Sequence, residues 1–197
     1  EFAASMGYRV KHLGIARRQG DRVEMRVHPT LIPEQKQLAN VDGVLNAIMI
    51  KGDAVGELVL VGPGAGGAAT ASAVCADLAD IARTVAGSGP ALGVPMGQLK
   101  SQVLVPADDI ESEWYVRLAA SDCAGVMSDI TQVLANHDVS IESLLQNPPR
   151  EDQATVSIVL LTHVASASVM TAVMQEITTL TEVETDFTLL RVEAFDQ

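Results

Sequence analysis

Residues 111–193 switch between two hydrophobic periods in a fixed order, and that order leaves few folds open. Trp114 to Ala120 alternates as a strand, and Ser121-Asp122-Cys123-Ala124-Gly125 is a loop. Val126 to His137 places Val126, Ile130, Val133 and Leu134 on one helical face. Val139 to Gln146 reads as a strand, residues 147–152 as a polar loop, and Ala154 to Thr162 as a strand apolar enough to be central. Ser166 to Leu180 returns to the helical period through Val169, Val173, Met174 and Ile177, and Val183 to Val192 is the last strand. Strand, helix, strand, strand, helix, strand predicts an antiparallel sheet with both helices on one face. The fold class is therefore α+β.

The first part of the chain is less regular. Phe2 to Met6 reads as the end of a helix closed by Gly7. Val10 to Ala16 is short and apolar, and Val23 to Val27 alternates as a half-buried strand. Pro29 and Pro33 predict a loop. Gly43 to Ile50 and Glu57 to Val61 form a strand pair about the turn Lys51-Gly52-Asp53. After Gly62-Pro63-Gly64-Ala65-Gly66-Gly67 comes a long helix from Ala68 to Val85, with Val74, Leu78, Ile81 and Val85 at helical spacing. Glycine and proline then punctuate a stretch without sustained periodicity, which divides the chain into 1–86, a linker at 87–110, and 111–197. Asp108, Asp109, Glu111 and Glu113 read as a solvated charge run at that linker.

Composition excludes several functions. Hydrophobic residues make up 48% of the chain, enough for a core, but aromatics are only 3%, so aliphatic side chains must fill it. A formal net charge of −12 opposes nucleic acid and anionic membranes as partners. No apolar run is long enough for a membrane span, and nothing reads as a signal peptide, which together favour a reducing, cytoplasmic setting. Cys75 and Cys123 lie far apart inside apolar patterns, so they read as small buried hydrophobes and no metal is expected. His28 reads as a turn residue, and His12, His137 and His163 lack acidic partners at useful spacing. No nucleophilic triad can be assembled.

Two turns have the chemistry of binding sites. Gly62 to Gly67 follows a strand and opens a helix, where backbone N–H groups favour phosphate and glycines permit close approach. No acidic residue ends a second parallel strand downstream, so the full dinucleotide fingerprint fails, and structural turn and cofactor contact both stay open. Ser121 to Gly125 presents Asp122 and the N–H groups of Gly125, Val126 and Met127, a corner able to take the carboxylate and ammonium of a small molecule. Helix capping by Asp122 or Ser121 is the other reading.

These segments carry a resemblance. Met6-Gly7-Tyr8, Arg26 to Pro33, Val41 to Ala47, Gly52-Asp53, Gly62 to Gly66, Thr70 to Val74 and Asp77 are similar to the end of the catalytic domain of homoserine dehydrogenase. Asp108 to Ser112, Trp114 to Leu118, Asp122, Gly125 to Met127, Val139 to Ile141, Gln146, Thr162-His163 and Arg191 to Glu193 resemble the ferredoxin-like ACT domain appended to many such enzymes. The resemblance implies NAD- or NADP-dependent interconversion of homoserine and aspartate 4-semialdehyde in the complete enzyme, on the route to threonine, methionine and isoleucine. It implies a dimer or tetramer with feedback by threonine. By position, Gly66 matches a glycine that approaches the nicotinamide cofactor, with Gly64 and Ala65 beside it. Asp122, Gly125, Val126 and Met127 are the implied effector residues.

Against the family pattern, Ala124 and Ala69 stand where prolines are usual. The nucleotide-binding fold and the catalytic lysine would precede Glu1, so the N-terminal portion is expected to be missing. This chain alone is therefore expected to be inactive, and its long helix to leave an apolar patch. The alternative is a non-enzymatic amino-acid sensor or dimerisation module.

Overall fold

The computed structural model describes residues 2–85, 96–146 and 155–195. They form two compact units, residues 1–34 with 103–197 and residues 35–102. These units do not follow the divisions expected at 86/87 and 110/111, because the first 34 residues join the sheet of the second half.

That sheet has the order β1-β2-β9-β6-β8-β7, with β5 beside β2. Its centre is β6 (Glu111–Ser121), antiparallel to β8 (Thr155–Ser166) and β9 (Val183–Val192), while β7 (Ile141–Gln146) pairs with β8. Side-chain alternation gives the sheet two apolar faces. On one, Val116, Leu118, Ile158 and Leu160 pack with both helices, α3 (Val126–Asn136) and α4 (Ala167–Ile177). The expected βαββαβ unit with both helices on one face is present. On the other face, Tyr115, Val159 and Leu161 pack with Leu31 and Val192 under Phe2, Ala3 and Met6. The short helix α1 (Phe2–Ser5) thus covers this face, and Gly7 (φ +79°) closes it as expected.

The N-terminal hairpin is larger than the sequence suggests. β1 (Tyr8–Gln19) and β2 (Arg22–Pro33) pair along their whole lengths. The expected loop at Pro29 and Pro33 is instead strand. Pairing of β2 with β9 begins only at Thr30, so Pro29 is not asked for a donor there, and Pro33 is the last strand residue. Between the prolines Thr30, Leu31 and Ile32 are all fully buried, the signature of a strand covered on both faces.

In β2 the buried side is the charged one. Glu24 is 1% exposed, whereas Met25 and Val27 are 62% and 72% exposed. The carboxylate is matched: Arg26 Nε lies 2.6 Å from Glu24 Oε1, and Gln19 Nε2 donates to Glu24 Oε2 at 2.8 Å. Arg26 Nη2 reaches Glu193 Oε2 at 2.6 Å, and Arg17 Nη2 reaches Glu193 Oε1 at 2.8 Å. Arg26 and Arg191 both donate to Ser112 Oγ, at 3.4 and 3.0 Å, and Arg191 stacks over the Trp114 ring. Charges this deep require such partners.

The described end of the expected linker is partly built into the same unit. β5 (Val103–Leu104) runs parallel to Arg22-Val23, and Val105 N donates to Val23 O. Glu111 and Glu113 are strand residues rather than linker charges. Residues 86–95 of the linker and the polar loop 147–152 fall outside the described residues.

In the other unit, β3 (Leu45–Gly52) and β4 (Gly56–Pro63) form the expected hairpin, and α2 (Gly67–Val85) the expected long helix. Ile48, Ile50, Leu58 and Leu60 share one face of the hairpin by register, and all are exposed. Val74, Leu78 and Ile81 are exposed along α2, as expected of its apolar stripe. No described helix is long and apolar enough to cross a membrane.

Two predictions follow from this packing. Leu160 is fully buried between both helices, so Leu160→Ala should lower unfolding free energy by about 2–5 kcal/mol in denaturant titration. His28, beside Arg26 on β2, is held below the ordinary imidazole value, first by burial, then by the Arg26 and Arg191 guanidinium groups against the Pro29 carbonyl and Glu193. Its unfolded form therefore protonates first as pH falls, so its contribution is complete above about pH 6.5 and is lost below it. The thermal midpoint should fall between pH 7 and pH 5, and His28→Gln should flatten that slope.

Candidate functional site

The corner between β6 and α3 is built by a sharp turn. β6 ends at Ser121, whose N–H donates to Glu182 O at 2.8 Å and ties the corner to the start of β9. Cys123 N donates back to Ser121 O at 3.0 Å. Gly125 then takes φ +104°, a conformation that side chains other than hydrogen rarely adopt. It is the N-cap residue of α3, and no side chain caps that helix. The capping reading of Asp122 and Ser121 is therefore not realised. By contrast α4, also 11 residues long, is capped by Ser166 Oγ accepting from Val169 N at 3.3 Å. The corner thus combines an exposed carboxylate with helix-terminal N–H groups free of side-chain caps.

The four expected effector residues are adjacent but not equivalent. Asp122 and Gly125 are exposed. Val126 is buried in the helix-side core and Met127 packs against it, so these two can offer backbone groups rather than side chains to a ligand at the corner. Cys123 is exposed in the same loop and Cys75 is exposed on α2, which corrects the expectation that both thiols are buried.

The glycine turn sits at the start of α2. Gly64 N donates to Val44 O at 3.0 Å, and a Cβ at Gly64 would collide with the Asn46 side chain. Gly66 has φ +113°, and its carbonyl accepts from both Thr70 N and Thr70 Oγ1 at 3.0 Å. Gly64, Ala65 and Gly66 are all exposed, and the first turn of α2 holds no acidic residue. A helix N-terminus with this backbone suits a phosphate or another electron-rich group at close range. The residues present therefore fit a contact with a nicotinamide cofactor.

The charged cavity at the other end of β6 was not foreseen. It has a volume of about 140 Å³, and Arg17, Arg26, Glu111, Glu113, Ser112 and Glu193 contribute to its lining. One sequence signal was available: Glu24 and Arg26 stand two apart on a strand, hence on one face, with opposite charge. Their remote partner Glu193 carries no such signal. His137 also has an acidic partner after all, with Nε2 2.9 Å from Glu176 Oε2. That pair joins the ends of α3 and α4, 39 residues apart, beyond the reach of spacing arguments.

Residues 1–79 match the family model "Homoserine dehydrogenase", and residues 115–182 match the ACT domain model. The homoserine dehydrogenase of Neisseria gonorrhoeae is 43% identical over 98% of this chain, and that of Bacillus subtilis 33% identical over 98%. The solved structure of a homoserine dehydrogenase from Thiobacillus denitrificans is 41% identical, covers 98% of the chain and superposes with a TM-score of 0.85. The chain spans 45% of the Neisseria protein and 44% of the Thiobacillus chain, so it is about half the length of the relatives it matches. With both segments matched in order and the fold shared along almost its whole length, the chain fits the carboxyl-terminal, ACT-bearing part of a homoserine dehydrogenase.

Proposed function

We propose that this chain supplies the regulatory domain and the closing segment of the catalytic domain of a homoserine dehydrogenase, and that it binds threonine at the β6–α3 corner. The observation that carries the reading is the start of α3 at Gly125, where no side chain caps the helix and Asp122 stands exposed alongside. The threonine carboxylate takes the N–H groups of Val126 and Met127, and its ammonium takes the Asp122 carboxylate. Val126 and Met127 act through backbone alone, with their side chains anchoring the helix to the core. Binding energy that differs between two arrangements of the domain is what regulation requires.

In the complete enzyme, Gly64, Ala65 and Gly66 approach a nicotinamide cofactor, NAD or NADP, which supplies hydride transfer between homoserine and aspartate 4-semialdehyde. The assembly is a homo-oligomer, a dimer or tetramer, without nucleic acid or membrane partners, and it works in the cytoplasm in the route to threonine, methionine and isoleucine.

The competing reading, a non-enzymatic amino-acid sensor or dimerisation module, has no observation in its favour beyond the sensor domain common to both.

Cys123 makes the corner easy to watch. Threonine at saturation should slow alkylation of Cys123 while leaving that of Cys75, also exposed, unchanged. At about one hundred times its dissociation constant it should also add about 2.7 kcal/mol to stability, seen as a raised melting temperature. Asp122→Asn should abolish both effects; equal protection of the two thiols, or none, would sink the assignment. Separately, a hydride-transfer assay on the 197-residue chain should give no turnover with either nicotinamide cofactor, and measurable homoserine oxidation would overturn that part.

A further inference from the structure

The attachment of the N-terminal hairpin to the rest of its sheet is lopsided. β1 and β2 share twelve paired residues, Tyr8↔Pro33 to Gln19↔Arg22, but β2 meets β9 through only Thr30↔Arg191 and Leu31↔Val192, with Glu193 N donating to Leu31 O at 2.9 Å. So short a ladder holds a long hairpin weakly. Side chains supply the rest. Glu193 spends one oxygen on Arg17 and the other on Arg26, while Glu24 spends one on Arg26 and one on Gln19. The Arg26 and Glu193 side chains are 6% and 8% exposed, and Arg17, at 32%, is the arm nearest solvent.

This lattice specifies register. A slip of β2 by one residue would turn Glu24 and Arg26 to the opposite face, and a slip of two would move them about 6.6 Å along the strand, beyond hydrogen-bond reach of Glu193. A buried lattice adds little net stability when whole but is costly to leave half-made, which is the behaviour of a registering device. It also has a direct line to the far end of the sheet. Arg26 and Arg191 converge on Ser112 at the start of β6, and β6 ends at Ser121 beside the Asp122 corner, roughly 30 Å away at about 3.3 Å per residue. Both oxygens of Glu24 and of Glu193 are engaged within the chain.

We infer that the Arg17–Arg26–Glu193 lattice, braced on Ser112, is the joint that makes the N-terminal hairpin and the ACT sheet one mechanical body and passes the state of the effector corner to the hairpin. The second half rests on the regulatory reading above; the first half stands without it.

Amide hydrogen exchange on the full chain tests both. Glu193→Gln should speed exchange of Glu193 N–H and the β2–β9 ladder about a hundredfold, while Val159 and Leu160 amides stay slow. Arg17→Gln, which cuts only the outer arm, should give a smaller change confined to the same ladder and guards against a misfolded first variant. Arg26→Gln combined with Glu193→Gln should open the ladder by less than the sum of the two single changes, since the Arg26–Glu193 pair is lost in both. Uniform acceleration over the whole sheet, or strictly additive effects, would overturn the joint. With threonine present, the wild-type chain should slow exchange at Val126 and Met127 and also in the hairpin, whereas Glu193→Gln should respond at the corner alone. A hairpin response that persists in Glu193→Gln overturns the coupling. No response at the corner of the wild-type chain defeats the threonine reading instead, and the ligand-free comparison still decides the joint.

Discussion

The antiparallel pair β6–β8 is apolar on both faces, and the rest of its unit is arranged to cover it. Val116, Leu118, Ile158 and Leu160 point to the helices, and Tyr115, Val159 and Leu161 point the other way. A βαββαβ unit has helices for one face only, so the second face must find cover or stay wet at a cost of roughly 25 cal/mol for each Å² left exposed. Phe2, Ala3, Met6 and Leu31 meet that need from the opposite end of the chain. This is the physical reason the first 34 residues belong to the same compact unit as the ACT domain, although the family models divide the chain between residues 79 and 115.

Covering the second face creates an edge problem that the hairpin resolves. β9 would otherwise end the sheet, and an open edge invites pairing with other chains. β2 takes that edge, but its meeting with β9 is two residue pairs long, so backbone hydrogen bonds alone do not choose its register. Burying Glu24, Arg26 and Glu193 does. Hydrophobic replacements could fill the same volume, yet they would tolerate a shifted strand where a charge lattice does not. The exposed Met25 and Val27 follow from this choice, since on an alternating strand the inward place of the charges puts their neighbours outside.

The ACT-domain half was legible because its elements declare themselves locally. The apolar run of β8 gave a central strand, and the spacing of Ile130, Val133 and Leu134 gave the inner face of α3, both as found. The hairpin was obscured where tertiary context overrides a local rule. Pro29 signals a break, but the donor it lacks is not needed where it sits. Glu111 and Glu113 look like a solvated run until β6 is seen to start beneath them. The thiols were misjudged because an apolar neighbourhood in sequence does not itself bury a residue: Cys123 lies in a loop, and α2 exposes even Val74 and Leu78. Of the candidate sites, the two glycine turns could be found from sequence, since positive φ at Gly66 and Gly125 leaves glycine as the natural residue. The Arg17–Arg26–Glu193 lattice could not, because it joins positions 176 and 167 residues apart.

The contrast between α3 and α4 bears most directly on function. The two helices have equal length and pack on the same core, yet one start is capped by a serine and the other begins at an uncapped glycine. A capping side chain gains only a few tenths of a kcal/mol over glycine, and φ +104° at Gly125 strains any such replacement. Asp122 is three residues upstream of that position, and no side-chain cap hydrogen bond is made at the start of the helix. What the uncapped start keeps is a set of N–H donors beside a carboxylate at the end of β6. The same strand begins at Ser112, where Arg26 and Arg191 meet. A helix start left open at one end of β6 and a rigid charge lattice at the other are the two elements that a domain needs if it is to sense at one end and act at the other.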